Sequence, residues 1–332
     1  AKEPSDLTEI NSEVAEVIDK YDLGGVILFA ENVKEISQTT TLIHDLQEVA
    51  INDEDGNLPL LITLDQEGGI VTRLGEGTNL PGNMALGATR SEKSSYDAGY
   101  VIGKELNALG VNVDFAPVLD TNNNPENPVI GVRSISSNPE LVWKLGKNIA
   151  KGIQDQGVAA TAKHFPGHGD TATDSHYGLP MVDKSIEELR ETELKPFKIA
   201  IENGIDMIMT AHIQFPQIEK DTFISKKDGS QISIPATLSD DIIKGILREE
   251  MEYDGVVITD AMNMKAISDH FGELESTKMA INAGIDIILM PTILRNNEDV
   301  KKLDYIVNGI LDSIKSGEIK EEEITDSAER IV

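Results

Sequence analysis

Short apolar runs rich in β-branched residues recur along the chain. They are Gly25–Phe29, Leu60–Leu64, Val111–Val118, Val158–Ala162, Ile205–Met209, Val256–Thr259 and Ile285–Met290. Each is continuous rather than alternating, which suits strands covered on both faces. Several follow a glycine placed to end the preceding helix: Gly24, Gly110, Gly157, Gly204, Gly255 and Gly284. Between the runs the apolar spacing becomes helical. Leu141, Leu145, Ile149 and Ile153 share one face, and so do Ile242, Ile243, Ile246, Leu247 and Met251. Strand and helix alternating over the whole length predict a parallel sheet. Seven strands at spacings of roughly 30 to 50 residues point to a TIM-like (β/α)8 barrel of the α/β class rather than an open sheet. The eighth, the first in order, is expected to be missing or unrecognised, because residues 6–21 read as a helix. Residues 321–332 read as the start of a helix, and 217–231 as a long loop. No linker or low-complexity stretch interrupts residues 1–332, which are expected to form a single catalytic domain.

In a parallel α/β barrel the ligand lies at the carboxyl ends of the strands. The second run ends in Asp65-Gln66-Glu67-Gly68-Gly69, and the third ends near Asp120 and continues to Arg133. The fourth ends in Lys163-His164, the fifth in His212 and the sixth in Asp260. Wet strand ends are polar anyway, but ionisable residues recurring at so many of them favour a site. The densest segment is KHFPGHGDTATDSHYGLP, residues 163–180, which holds three of the six histidines.

Four chemistries suit that segment. Zinc held by His164, His168 and His176 is one, although Pro166 and Gly167 break the helix that would align the first two. A phosphate loop is set aside, because G-x-x-x-x-G-K-[ST] is absent. A Schiff base on Lys163 would leave the Asp-Ser-His element unused. The fourth is a dyad. Asp174 and His176, two apart, can lie on one side of an extended loop, the carboxylate orienting the imidazole for proton transfer. Asp260 as nucleophile would complete a double-displacement set.

These residues resemble the family-3 glycoside hydrolases, in the β-N-acetylglucosaminidase branch of the two-domain Gram-positive type. GGVILFAENV, LDQEGGIVTRL, LPGNMALGA, GVNVDFAPVLD, NPVIGVRS, KHFPGHGDTATDSHYGLP, MTAHIQFP and GVVITDAMNMKAI carry the likeness along nearly the whole chain. KHFPGHG followed by DSH marks the branch with a loop histidine as acid/base. The resemblance implies Asp260 as nucleophile, His176 as acid/base and Asp174 as its partner. It implies substrate contacts from Asp65, Arg133, Lys163 and His164, and places Arg73 near the site, where an ion pair is the alternative. It implies a strand ahead of the opening helix and a C-terminal α/β domain that this chain lacks. It implies a retaining exo-β-N-acetylglucosaminidase that removes terminal GlcNAc from GlcNAc-MurNAc peptidoglycan fragments. A phosphorylase, a broader β-glycosidase and a non-catalytic sugar-binding barrel are the alternatives. An extracellular or cell-wall location is implied, with the cytoplasm as alternative.

Composition narrows the partners. With 29 Lys plus Arg against 58 Asp plus Glu, the net charge is −29, which repels nucleic acid and anionic lipid. No apolar run approaches the ~18 residues of a membrane span. The absence of cysteine excludes disulfides and thiolate metal sites. No cofactor or metal is expected, the partner is a small carbohydrate, and nothing in the sequence specifies an oligomeric state.

Overall fold

The computed structural model describes residues 7–51, 58–175 and 178–332. They divide into two compact units, Ala1–Pro117 with Leu145–Thr161, and Val118–Lys144 with Ala162–Val332.

In the first unit α1 (Ser12–Tyr21) begins at Asn11, whose side chain accepts from Val14 N–H. It ends at Asp22 in the left-handed conformation, so an aspartate caps where Gly24 was expected to. Then follow β1 (Gly25–Ile27), α2 (Ile36–Ile51), β2 (Leu61–Leu64), α3 (Asn83–Thr89), α4 (Glu92–Leu109) and β3 (Val113–Asp114). The unit closes with most of α5 (Pro139–Gln154) and the start of β4 (Ala159–Phe165). The strands pair in parallel, Gly25 with Leu61, Thr63 with Val113 and Val113 with Ala159. Ile62, Leu64, Val113 and Ala160 are buried, as continuous apolar runs require. β3 is shorter than its run, Val111–Val118. α4 and α5 meet through glycines: a Cβ on Gly99 would lie 2.1 Å from Ile149 O, and one on Gly152 2.4 Å from Tyr96 O.

The second unit takes β4 onward. A single parallel bridge joins Val118 to Lys163. Next come α6 (Ile186–Glu191), opened by a Ser185–Glu188 capping box, α7 (Leu194–Glu202) and β5 (Met207–Thr210). The loop expected over 217–231 instead contains an antiparallel hairpin, β6 (Thr222–Ile224) with β7 (Gln231–Ser233). Three-residue strands fall below what periodicity detects; Asp228-Gly229 makes the turn, and Phe223 packs 4.7 Å from Phe271. The segment Asp241–Glu250 is helical and buries the expected Ile242, Ile243, Ile246 and Leu247 face, but it winds loosely, Met251 N–H reaching Ile246 O. β8 (Val256–Thr259) pairs in parallel with β5 from Met207–Val256 to Thr210–Thr259. α8 (Lys265–Ser268), α9 (Glu273–Ala283), α10 (Asn297–Ser316) and α11 (Glu321–Ile331) complete it. The seventh apolar run makes only the bridge Ile258–Ile287 before Met290 turns left-handed. Asp286 in that run is a buried anchor. It accepts from Arg248 (2.6 Å) and Val257 N–H (2.8 Å) through Oδ2, and from Ser327 (2.8 Å) and Arg330 (3.0 Å) of α11 through Oδ1.

Candidate active site

β4 carries Lys163 and His164 to its carboxyl end, both almost wholly buried. The backbone and ring of His164 turn to Asp120, beyond β3. His164 N–H lies 3.2 Å from Oδ1, and its Nδ1 is 2.7 Å from Oδ2. Burial alone would raise the Asp120 pKa, but the charge and hydrogen bond of His164, helped by His168, hold it below the ordinary carboxylate range. His168 N–H adds a 2.6 Å bond to Oδ1. The His168 ring meets Thr171 Oγ1 at 2.7 Å. Burial pushes its pKa down to about 4, so it is neutral at physiological pH.

Asp260 follows β8 and remains half-buried, with Oδ1 accepting from Ala261 N–H at 2.7 Å. Burial again acts to raise its pKa. His212 first, then His164, the Ala261 N–H and Lys163 overcome it, so the carboxylate is ionised at neutral pH. His212, buried after β5, places Nε2 3.1 Å from Ala261 O and Nδ1 2.9 Å from Thr237 Oγ1. It therefore braces the turn that holds Asp260. The Lys163, His164 and Asp260 predicted from strand ends thus act on one another. Asp174 is half-buried on the loop after His168, and its carbonyl accepts from Gly178 N–H. His176, the expected acid/base, lies outside the described residues. Arg133 ends a short helical turn, Gly131–Arg133, and its guanidinium lies 3.4 Å from Val129 O.

In the first unit Asp65 and Arg73 meet each other, Oδ2 3.4 Å from the guanidinium, at 19% and 25% side-chain exposure. The Gln66 side-chain oxygen accepts from Arg73 N–H, and the Gln66 backbone N–H donates to Asp114.

The family model described as the glycosyl hydrolase family 3 N-terminal domain matches residues 4–332. The chain belongs to that family. It is 43% identical over 331 residues to beta-hexosaminidase A of Pseudoalteromonas piscicida, covering 98% of this chain and 55% of that protein. A beta-hexosaminidase of Thiobacillus denitrificans is 34% identical over 275 residues, which is 81% of this chain and 71% of that one. Among solved structures, a family-3 beta-N-acetylglucosaminidase from Paenibacillus sp. str. FPU-7 superposes with a TM-score of 0.89 at 46% identity, covering 98% of this chain and 58% of that one. The chain spans little more than half the length of the first and last of these relatives. The fold class is the α/β, TIM-like barrel type expected from strand–helix alternation.

Of the three histidines in the zinc alternative, His176 lies outside the described residues. One ring nitrogen of His164 faces Asp120, and one of His168 faces Thr171. Among the described residues, a set of side chains within chelating reach of one another is His44, Asp45 and Glu48 on the surface of α2. Sequence reasoning missed the part played by Asp120 and left His212 without a role. Their strand-end positions were the available signal, but their partners lie 44 and 49 residues away.

Proposed function

We propose that this chain is the catalytic barrel of a retaining exo-β-N-acetylglucosaminidase acting on terminal GlcNAc of GlcNAc-MurNAc fragments. The observation that carries it is Asp260: an accessible carboxylate kept anionic at a strand end by His212, His164 and Lys163. The similarity to proteins named beta-hexosaminidase and beta-N-acetylglucosaminidase supports the substrate class. In this reading Asp260 attacks the anomeric carbon and forms a glycosyl-aspartate. His176, partnered by Asp174, protonates the departing oxygen and then deprotonates the water that resolves the intermediate, so the β configuration is retained. Lys163, His164 and Arg133 hold the sugar hydroxyls, and that remote grip stabilises the transition state. The test compares nitrophenol release from its β-N-acetylglucosaminide and its β-glucoside, with Asp260→Asn as control. Release from the first that vanishes in the variant is expected. Unchanged turnover in Asp260→Asn would overturn the nucleophile, and preference for the glucoside would overturn the substrate.

A further inference from the structure

The mechanism above gives Asp120 no task, yet its carboxylate is wholly buried and heavily committed. It accepts from His164 N–H through both oxygens (3.2 and 3.3 Å), sits 2.7 Å from His164 Nδ1, and accepts from His168 N–H at 2.6 Å. One carboxylate thus spans the Phe165-Pro166-Gly167 turn. An ionised carboxylate can only accept, so His164 Nδ1 carries the proton and Nε2 is the nitrogen left to face a ligand.

His168 is also the base of the segment that carries Asp174. Its carbonyl accepts from Asn127 Nδ2 at 2.8 Å. Its ring holds Thr171, and Gly169 lies so close to Thr121 that a Cβ there would come within 1.8 Å of the Thr121 carbonyl. The other end is held too, since Ser175 O accepts from Ala266 N–H at 3.2 Å, in the helix that follows the Asp260 turn. The segment between is therefore pinned on one side through Asp120 and on the other beside the nucleophile.

We propose that Asp120 is a positioning residue that sets, with one carboxylate, both the ring of His164 and the base of the Asp174-bearing loop, so that sugar grip and proton delivery are adjusted together. The proposal rests on the glycosidase reading. An asparagine at 120 has one acceptor oxygen where three N–H groups need service. Asp120→Asn should therefore lower kcat/KM by roughly ten- to a hundredfold. KM should rise on both nitrophenyl and phenyl β-N-acetylglucosaminides, and kcat should fall further on the phenyl glycoside, whose poorer leaving group depends more on the proton. Thr171→Val, which leaves Asp120 and His164 intact, should reproduce the leaving-group-dependent fall in kcat with KM unchanged.

Equal losses of kcat on both glycosides with KM unchanged in Asp120→Asn would overturn the proposal, because that is what a smaller folded fraction gives. A native chain inert on both glycosides would overturn the glycosidase reading instead. The ring geometry is tested without turnover by proton NMR of nitrogen-15-histidine protein. A downfield Nδ1–H resonance, assigned by its loss in His164→Gln, should be present in the native chain and in Thr171→Val and absent in Asp120→Asn. Its absence from the native chain, or its persistence in Asp120→Asn, would overturn the shared carboxylate.

Discussion

Asp120 and Asp260, the latter directly after β8, are both aspartates whose pKa is held low against burial, yet their surroundings differ. Asp120 is closed off, its oxygens taken by His164 and His168. Asp260 keeps an accessible side, and the groups that lower its pKa are led by the imidazoles of His212 and His164, with one backbone N–H as hydrogen-bond donor. A low pKa alone therefore does not mark a reacting group. What separates the anchor from the proposed nucleophile is how the negative charge is satisfied: by short bonds that fill the oxygens, or by nearby charged groups with a single hydrogen bond.

The sharpest way to break this contrast is at Asp260 itself. Asp260→Asn should cost at least about 10⁴-fold in kcat while N-acetylglucosamine still binds, as steady-state kinetics beside calorimetry would read. Stability should run the other way. Asp120→Ala strands the N–H groups of His164 and His168 and should cost about 3–5 kcal/mol in urea unfolding, whereas Asp260→Ala should cost little. Equal costs would erase the distinction. A third expectation concerns His168. Its folded pKa of about 4 lies below the 6.5 of the unfolded chain, so protons bind the unfolded state preferentially. Its contribution is intact above pH 6.5 and is lost as pH falls towards 4, about 3 kcal/mol in all. Urea midpoints across that window should fall in the native protein and flatten in His168→Gln. The smallest effect belongs to the partly exposed pair in the first unit, where Asp65→Asn should change stability by no more than about 1 kcal/mol.

Much of this was legible in the sequence. Buried parallel strands bury every side chain, so apolar runs such as Ile205–Met209 and Val256–Thr259 located β5 and β8. The strand-end rule then led directly to Lys163, His164 and Asp260. What escaped was of two kinds. Local geometry with no composition signal was missed: Asp22 taking a left-handed turn where glycine was expected, and a hairpin of three-residue strands read as loop. Partnerships made only by folding were missed as well. Nothing near Asp120 in sequence says that its acceptors serve His164 and His168, and nothing near Arg73 chooses between a sugar and Asp65.

The buried carboxylate of Asp286 gives the last helix an influence beyond its own contacts. The same group that receives Ser327 and Arg330 of α11 also receives Val257 N–H, at the second residue of β8 and three before Asp260. When α11 frays, that carboxylate loses two of its donors and its hold on the strand amide loosens. Hydrogen exchange at Val257 should therefore quicken when the opening of a helix far along the chain is promoted, which would tie the strand that leads to Asp260 to residues 327 and 330.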